Sequence, residues 1–196
     1  FRELDKITAG LQKGELIIIA GRPSMGKTAF ALNIAEHVAL AHNNPVAIFS
    51  MEMSASSLAQ RMISSLGRVN AHSVKTGKLE EKDWHRIDGA IQQMRDAPIY
   101  IDDTPSLTPI EIRARARRIQ REKGLKLIVI DYLQLMTVSG SKENRATEIS
   151  EISRNLKALA RELNIPIILI SQLNRSVEQR NDKSPIMSDL RESGAI

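Results

Sequence analysis

The stretch Leu16-Ile-Ile-Ile-Ala-Gly21-Arg-Pro-Ser-Met-Gly26-Lys27-Thr28 decides the fold of this 196-residue chain. Its first five residues are too few for a helix and apolar enough to be buried on both faces, the mark of a strand in a parallel sheet. The glycines and Pro23 then interrupt the run, and a helical period opens at Lys27. Strand, G-x-x-x-x-G-K-T and helix in that order make a phosphate-binding loop. Its glycines let backbone N–H groups converge on phosphate oxygens while the helix N-terminus adds a favourable dipole. Lys27 then reaches the β and γ phosphates, and Thr28 offers its hydroxyl to Mg²⁺.

Outward from that loop, short aliphatic runs alternate with longer helical stretches, the pattern of an α/β fold with a mostly parallel sheet flanked by helices. Five strands are predicted: Leu16 to Ala20, Val46 to Met51, Ile99 to Asp102, Leu127 to Asp131 and Pro166 to Ser171. All five are expected to be buried on both faces. The helix beginning at Thr108-Pro109-Ile-Glu111 carries a capping box and a first-turn proline, and Gly124 closes it. A second helix, about Asn144 to Leu163, sets Ile149, Ile152, Leu156, Leu159, Ala160 and Leu163 on one stripe.

Ligands of open α/β sheets collect where strands end at their carboxyl edge. Asp131 ends a buried aliphatic strand about 100 residues after the loop, as a phosphate-loop hydrolase requires to orient Mg²⁺ and its water shell. Asp102 and Asp103 end another strand and compete for that role. Glu52 follows the second strand and suits the base that polarises an attacking water. It equally suits a carboxylate at a helix entry beside Ser54 and Ser56. Gln172, expected just after the fifth strand, can sense a γ phosphate or simply end the strand.

Composition narrows the class. At 42% hydrophobic residues the chain can bury one core, so residues 1–196 read as one domain. With no cysteine there is no disulfide or thiolate metal site, which favours a reducing cytoplasm. No apolar run reaches the ~18 residues of a membrane span. The net charge of +5 is matched by residues 109–126 alone, where seven Arg or Lys face Glu111 and Glu122. Such a stretch holds phosphates in some proteins, but on a helix it is more often a solvated face or a subunit contact. The histidines at 37, 42, 72 and 85 lack metal-ligand spacing, and the lone Trp84 reads as a packing residue. At 3% aromatic content, any nucleic acid is expected to be gripped through its backbone.

Gly21 to Thr28, Phe49-Ser-Met-Glu-Met53, Ile130-Asp-Tyr-Leu-Gln-Leu135, Ser171-Gln-Leu-Asn-Arg175 and Ser188-Asp-Leu-Arg-Glu-Ser-Gly194 together closely resemble the motor domain of bacterial DnaB-type replicative helicases. The resemblance runs nearly end to end. It implies a RecA-like P-loop ATPase in a homohexameric ring, with ATP and Mg²⁺ between neighbours and single-stranded DNA through the centre. It implies Lys27 and Thr28 as phosphate and Mg²⁺ ligands, Asp131 as second metal partner, Glu52 as catalytic base, and Gln172 as the link from γ phosphate to the DNA loops. Ser24, Gly26 and Ala29 complete the phosphate cradle, and Arg61 lies against the nucleotide.

The irregular segments Thr137 to Glu143 and Asn174 to Ile196 resemble the family's central DNA loops. Arg191, Glu192 and Gly194 match positions at the DNA backbone, with Arg175 a further candidate. Glu192 can receive a phosphate only through its backbone N–H, because its side chain is repelled. The resemblance also implies a primase and a loader as partners, a bacterial cytoplasmic protein associated with the nucleoid, and an amino-terminal collar and an arginine finger outside residues 1–196. A RecA-type recombinase shares the fold and the Glu after the second strand but forms filaments. A nucleotide-gated DNA clamp without turnover is the non-enzymatic alternative.

Overall fold

The computed structural model describes residues 1–136, 145–180, 182 and 184–190. In chain order the elements are α1 (Arg2–Thr8), β1 (Leu16–Gly21), α2 (Lys27–His42), β2 (Val46–Ser50), α3 (Ala55–Gly67), α4 (Ala71–Thr76), α5 (Glu81–Arg95), β3 (Ile99–Asp102), α6 (Pro109–Lys123), β4 (Leu127–Asp131), α7 (Arg145–Leu163), β5 (Ile167–Gln172) and α8 (Ser176–Gln179). The five strands form one sheet in the order β1-β5-β4-β2-β3, and every pairing is parallel. The expected α/β fold with flanking helices is therefore present. Pro166 does not begin β5, because it has no N–H to donate to the ladder. It contributes its carbonyl, which accepts from Ile128 N at 3.2 Å.

Side chains alternate across the sheet as the strand period requires. On β4, Ile128 and Ile130 face a core shared with Ile112 of α6 and Ile152 and Leu156 of α7. Leu127 and Val129 face the opposite core, with Leu32 of α2 and Leu58 and Met62 of α3. Burial on both faces holds for β2, β4 and β5, whereas β1 and β3 are only half-buried throughout. The expectation of five fully buried strands is corrected on those two, and the reason is position. They are the sheet's edges.

The basic helix α6 has its expected ends: Thr108 accepts from Glu111 N at 3.2 Å, the reciprocal Glu111 bond is present, and Gly124 adopts φ 75°. Three of its five arginines, though, are tied within the chain. Arg113 and Arg117 both pair with Glu162 of α7, and Arg115 grips Asp102. Trp84 on α5 is 53% exposed, which corrects its reading as a packing residue. Among the described residues, no helix is long and apolar enough to cross a membrane.

One buried carboxyl group predicts a pH effect. Glu36 of α2 is 6% exposed. Its Oε2 accepts from Ser65 Oγ at 3.0 Å and Asn33 Nδ2 at 3.2 Å, while Oε1 is buried without a hydrogen bond. Burial raises its pKa above the ordinary 4.5, and the Ser65 and Asn33 bonds oppose that only in part. A carboxyl raised in the folded state stabilises it fully below the ordinary pKa and loses that contribution as pH climbs through the raised value. Glu36→Gln keeps an acceptor and removes the ionisation. Its melting temperature is expected to gain on wild type as pH rises from about 4 to 8, and a pH-independent difference would contradict this.

Candidate active site

Parallel strands place all their carboxyl ends at one edge, and the order β1-β5-β4-β2 lines up four of them. The loop from Gly21 to Gly26 leaves β1, Gln172 closes β5, Asp131 closes β4 and Glu52 follows β2. A cleft of about 300 Å³ opens there, lined by Pro23, Ser24, Gly26, Lys27, Thr28, Ala29, Glu52, Met53, Arg61, Asp131, Tyr132, Ile170 and Gln172. Every catalytic, nucleotide and metal residue that the family resemblance implies is among them, and the competing Asp102 and Asp103 are not. Gln172 sits as the last residue of β5, in register with Gly21, rather than beyond the strand.

The loop's shape follows from two positions. Gly26 takes φ 83°, which a residue with a Cβ adopts only under strain, and caps α2. A Cβ on Gly21 would come within 3.3 Å of Lys27 Cγ, so the bare backbone gives the lysine stem its path. Lys27 Nζ donates to the Arg22 carbonyl at 2.9 Å. Burial lowers the Lys27 pKa, with Asp131 and Glu52 pulling the other way. Thr28 Oγ1 donates to Asp131 Oδ2 at 2.9 Å across 103 residues of chain. Asp131 is 2% exposed and its Oδ1 has no hydrogen-bond partner. Burial raises the Asp131 pKa, the Thr28 bond opposes this, and the Glu52 charge adds to it.

An ionisable oxygen left bare beside a hydroxyl, in a cleft that also holds Lys27 and Arg61, suits a polyanion bound with a divalent cation. The cation would be held by Thr28 and Asp131 with the substrate's own phosphates, as Mg²⁺ is commonly held. Among the described residues no cluster of three or more His, Cys, Asp or Glu could hold a metal alone.

The competing carboxylates are excluded from the cleft by topology. Asp102 ends the edge strand β3, where it accepts from Arg115 Nη1 at 2.7 Å and Thr104 Oγ1 at 2.7 Å. Burial alone would raise its pKa, but the Thr104 and Arg115 bonds prevail and lower it. Asp103 accepts from Ala55 N at 2.8 Å, so it caps the start of α3. Ser54, not Glu52, is the N-cap of α3.

Gln134 had no assigned role in the sequence reading. Its Nε2 donates to Ser171 Oγ and to the Gln172 carbonyl, each at 3.1 Å, and its Oε1 accepts from Gln172 N at 3.2 Å. It therefore fixes the backbone from which the Gln172 side chain leaves. The signal was its place in Asp131-Tyr-Leu-Gln134, three residues after a site carboxylate. Arg175 is exposed and precedes α8, outside the cleft lining. Arg191, Glu192 and Gly194, with the segment Thr137 to Glu143, lie outside the described residues.

The family model described as the DnaB-like helicase C-terminal domain matches residues 1–196. The chain belongs to that family. It is 59% identical over 197 residues to the replicative DNA helicase DnaB of Geobacillus stearothermophilus and 56% identical to the replicative DNA helicase DnaC of Bacillus subtilis (strain 168). In both cases all of this chain aligns, and it spans 43% of the relative's length. A solved DnaB-like replicative helicase, described with its interactions with primase, superposes with a TM-score of 0.95 at 39% identity, over 100% of this chain and 48% of that one. A second solved structure, of an ATPase domain, gives 0.94 at 39% identity, covering 99% of this chain and 69% of its own. The RecA-like fold and nucleotide use follow from membership of the DnaB-like family.

Proposed function

We propose that residues 1–196 are the motor domain of a bacterial replicative helicase, hydrolysing ATP with Mg²⁺ to move along single-stranded DNA and unwind duplex. The observation that carries this is the convergence of Lys27, Thr28, Asp131, Glu52 and Gln172 on one cleft from four adjacent strands. Family membership favours a helicase over a recombinase, and supports a homohexamer with nucleotide between neighbours and a primase and a loader as partners. It likewise supports a cytoplasmic protein working at the nucleoid.

In the proposed reaction a water attacks the γ phosphorus, its proton passes to the Glu52 carboxylate, and the bond to the β-phosphate oxygen breaks. Lys27 neutralises charge on the β and γ oxygens, and the amides of Ser24 to Ala29 cradle the phosphates. Arg61 lies against the nucleotide. Gln172 meets the γ phosphate and, held by Gln134, reports its presence to the segment after β5. Mg²⁺ bound through Thr28 and oriented by Asp131 would supply electrostatic stabilisation of the phosphoryl oxygens. DNA is gripped by its backbone at Arg175, Arg191 and the amides of Glu192 and Gly194.

Two measurements test this. ATP hydrolysis by the full-length protein, with and without single-stranded DNA at fixed salt, is expected to be DNA-stimulated in wild type. Arg191→Ala is expected to lose mainly that stimulation. A wild type indifferent to DNA contradicts the helicase reading. Asp131→Asn keeps an acceptor for Thr28 but loses the charge, so half-maximal hydrolysis is expected to need about 10–100-fold more Mg²⁺. An unchanged Mg²⁺ titration removes Asp131 from the metal site.

A further inference from the structure

Arg22 belongs to the phosphate loop, yet it is absent from the cleft lining. Its guanidinium grips the segment after β5 instead. Nε pairs with Glu178 Oε1 at 2.6 Å, and Nη1 donates to the Leu173 carbonyl at 2.8 Å. The backbone carbonyl of the same residue accepts from Lys27 Nζ. Arg22 therefore touches both the ammonium proposed to reach the phosphates and the helix α8, 156 residues away. The two segments are laced further by Leu173 N, which donates to Gly21 O at 3.3 Å.

What Arg22 holds is one connected body. Asn174 N donates to the Asp189 carbonyl at 2.9 Å, and Arg180 Nη2 donates to Asp189 Oδ2 at 2.5 Å and to Ser184 O at 3.0 Å. Arg175, a proposed DNA contact, is the residue immediately before α8. Glu178 is 57% exposed in its side chain, and half-solvated ion pairs add little to stability. A forked guanidinium on two acceptors does, however, fix geometry in a way a point charge does not.

We propose that Arg22 and Glu178 are positioning residues that couple nucleotide occupancy to DNA affinity, a step that rests on the ATP-and-DNA reading above. The Lys27 ammonium donates to the Arg22 carbonyl, and phosphates bound in the cleft compete for that ammonium. Released, the Arg22 backbone can shift, and its side chain carries α8 and Arg175 along. This link runs beside Gln172 and does not use it.

The test measures the affinity of the full-length protein for fluorescent oligo(dT), with and without a non-hydrolysable ATP analogue and Mg²⁺. Couplings of this kind are typically about 5–150-fold. In Glu178→Gln the nucleotide effect is expected to shrink to within about 2-fold of none, and linkage requires DNA's effect on analogue affinity to shrink by the same factor. DNA affinity without nucleotide, analogue affinity without DNA and melting temperature are expected to stay at wild-type values. Retention of the wild-type nucleotide effect in Glu178→Gln overturns the coupling alone. A fall in all these quantities together also overturns it, since that is general loosening. If wild type itself shows no nucleotide effect, the ATP-and-DNA reading fails and this inference with it.

Discussion

Lys27→Ala is expected to lower ATP turnover of the full-length protein by about 10²–10³-fold or more, the scale on which losing one preorganised charge-stabilising donor acts. The loss should exceed that of an exposed lysine because this side chain is already partly desolvated, which lowers its pKa and strengthens its attraction to a phosphate. Its stem runs over Gly21, so little ordering of the stem remains to be done on binding. Analogue affinity is expected to fall with turnover, since the same charge meets the bound and the reacting phosphates. Steady-state phosphate release and equilibrium analogue binding measure the two. Turnover that survives Lys27→Ala places hydrolysis elsewhere.

Glu52→Gln is expected to separate those two quantities. The amide fills the same space but cannot take the water's proton, so turnover should fall by about 10²–10⁴-fold, the usual contribution of a general base. Nucleotide affinity should hold or rise slightly, because Glu52 is exposed, lies outside the phosphate loop and repels the triphosphate. Single-turnover hydrolysis beside analogue binding reads the split. Equal loss of both would make Glu52 a binding residue, and no loss of either would leave it a helix-entry carboxylate that Ser54 already makes unnecessary as a cap.

Much of this site is legible in the sequence because its parts are local. A phosphate loop needs strand, glycines and helix within thirteen consecutive residues, Leu16 to Thr28, and the periods on either side identify those elements without tertiary help. Asp131 and Glu52 were visible for the same reason: each ends or follows an aliphatic run. Gln134 and Arg22 were invisible as functional positions because their partners are distant in sequence. Gln134 acts on β5, 37 and 38 residues on, and Arg22 reaches Glu178. Trp84 was misread because helix periodicity says which residues share a face, not whether anything covers it. The arginines of α6 were likewise readable as a basic face, but only the packing of α6 beside α7 brings Arg113 and Arg117 to Glu162.

By itself the amino-acid sequence determined the α/β class and the phosphate chemistry, since hydrophobic period, capping and loop geometry are written in neighbouring residues, while the family was implied by the resemblance of its motifs between Gly21 and Gly194. Only the tertiary structure decided which of Asp131 and the pair Asp102 and Asp103 lines the cleft, and it is Asp131. All three stand at strand ends, and nothing local separates them. The sheet order does, by setting β5 beside β1 and β4 next to β5 while leaving β3 at the far edge. It brings Thr28 within 2.9 Å of Asp131 and leaves Asp102 to Arg115.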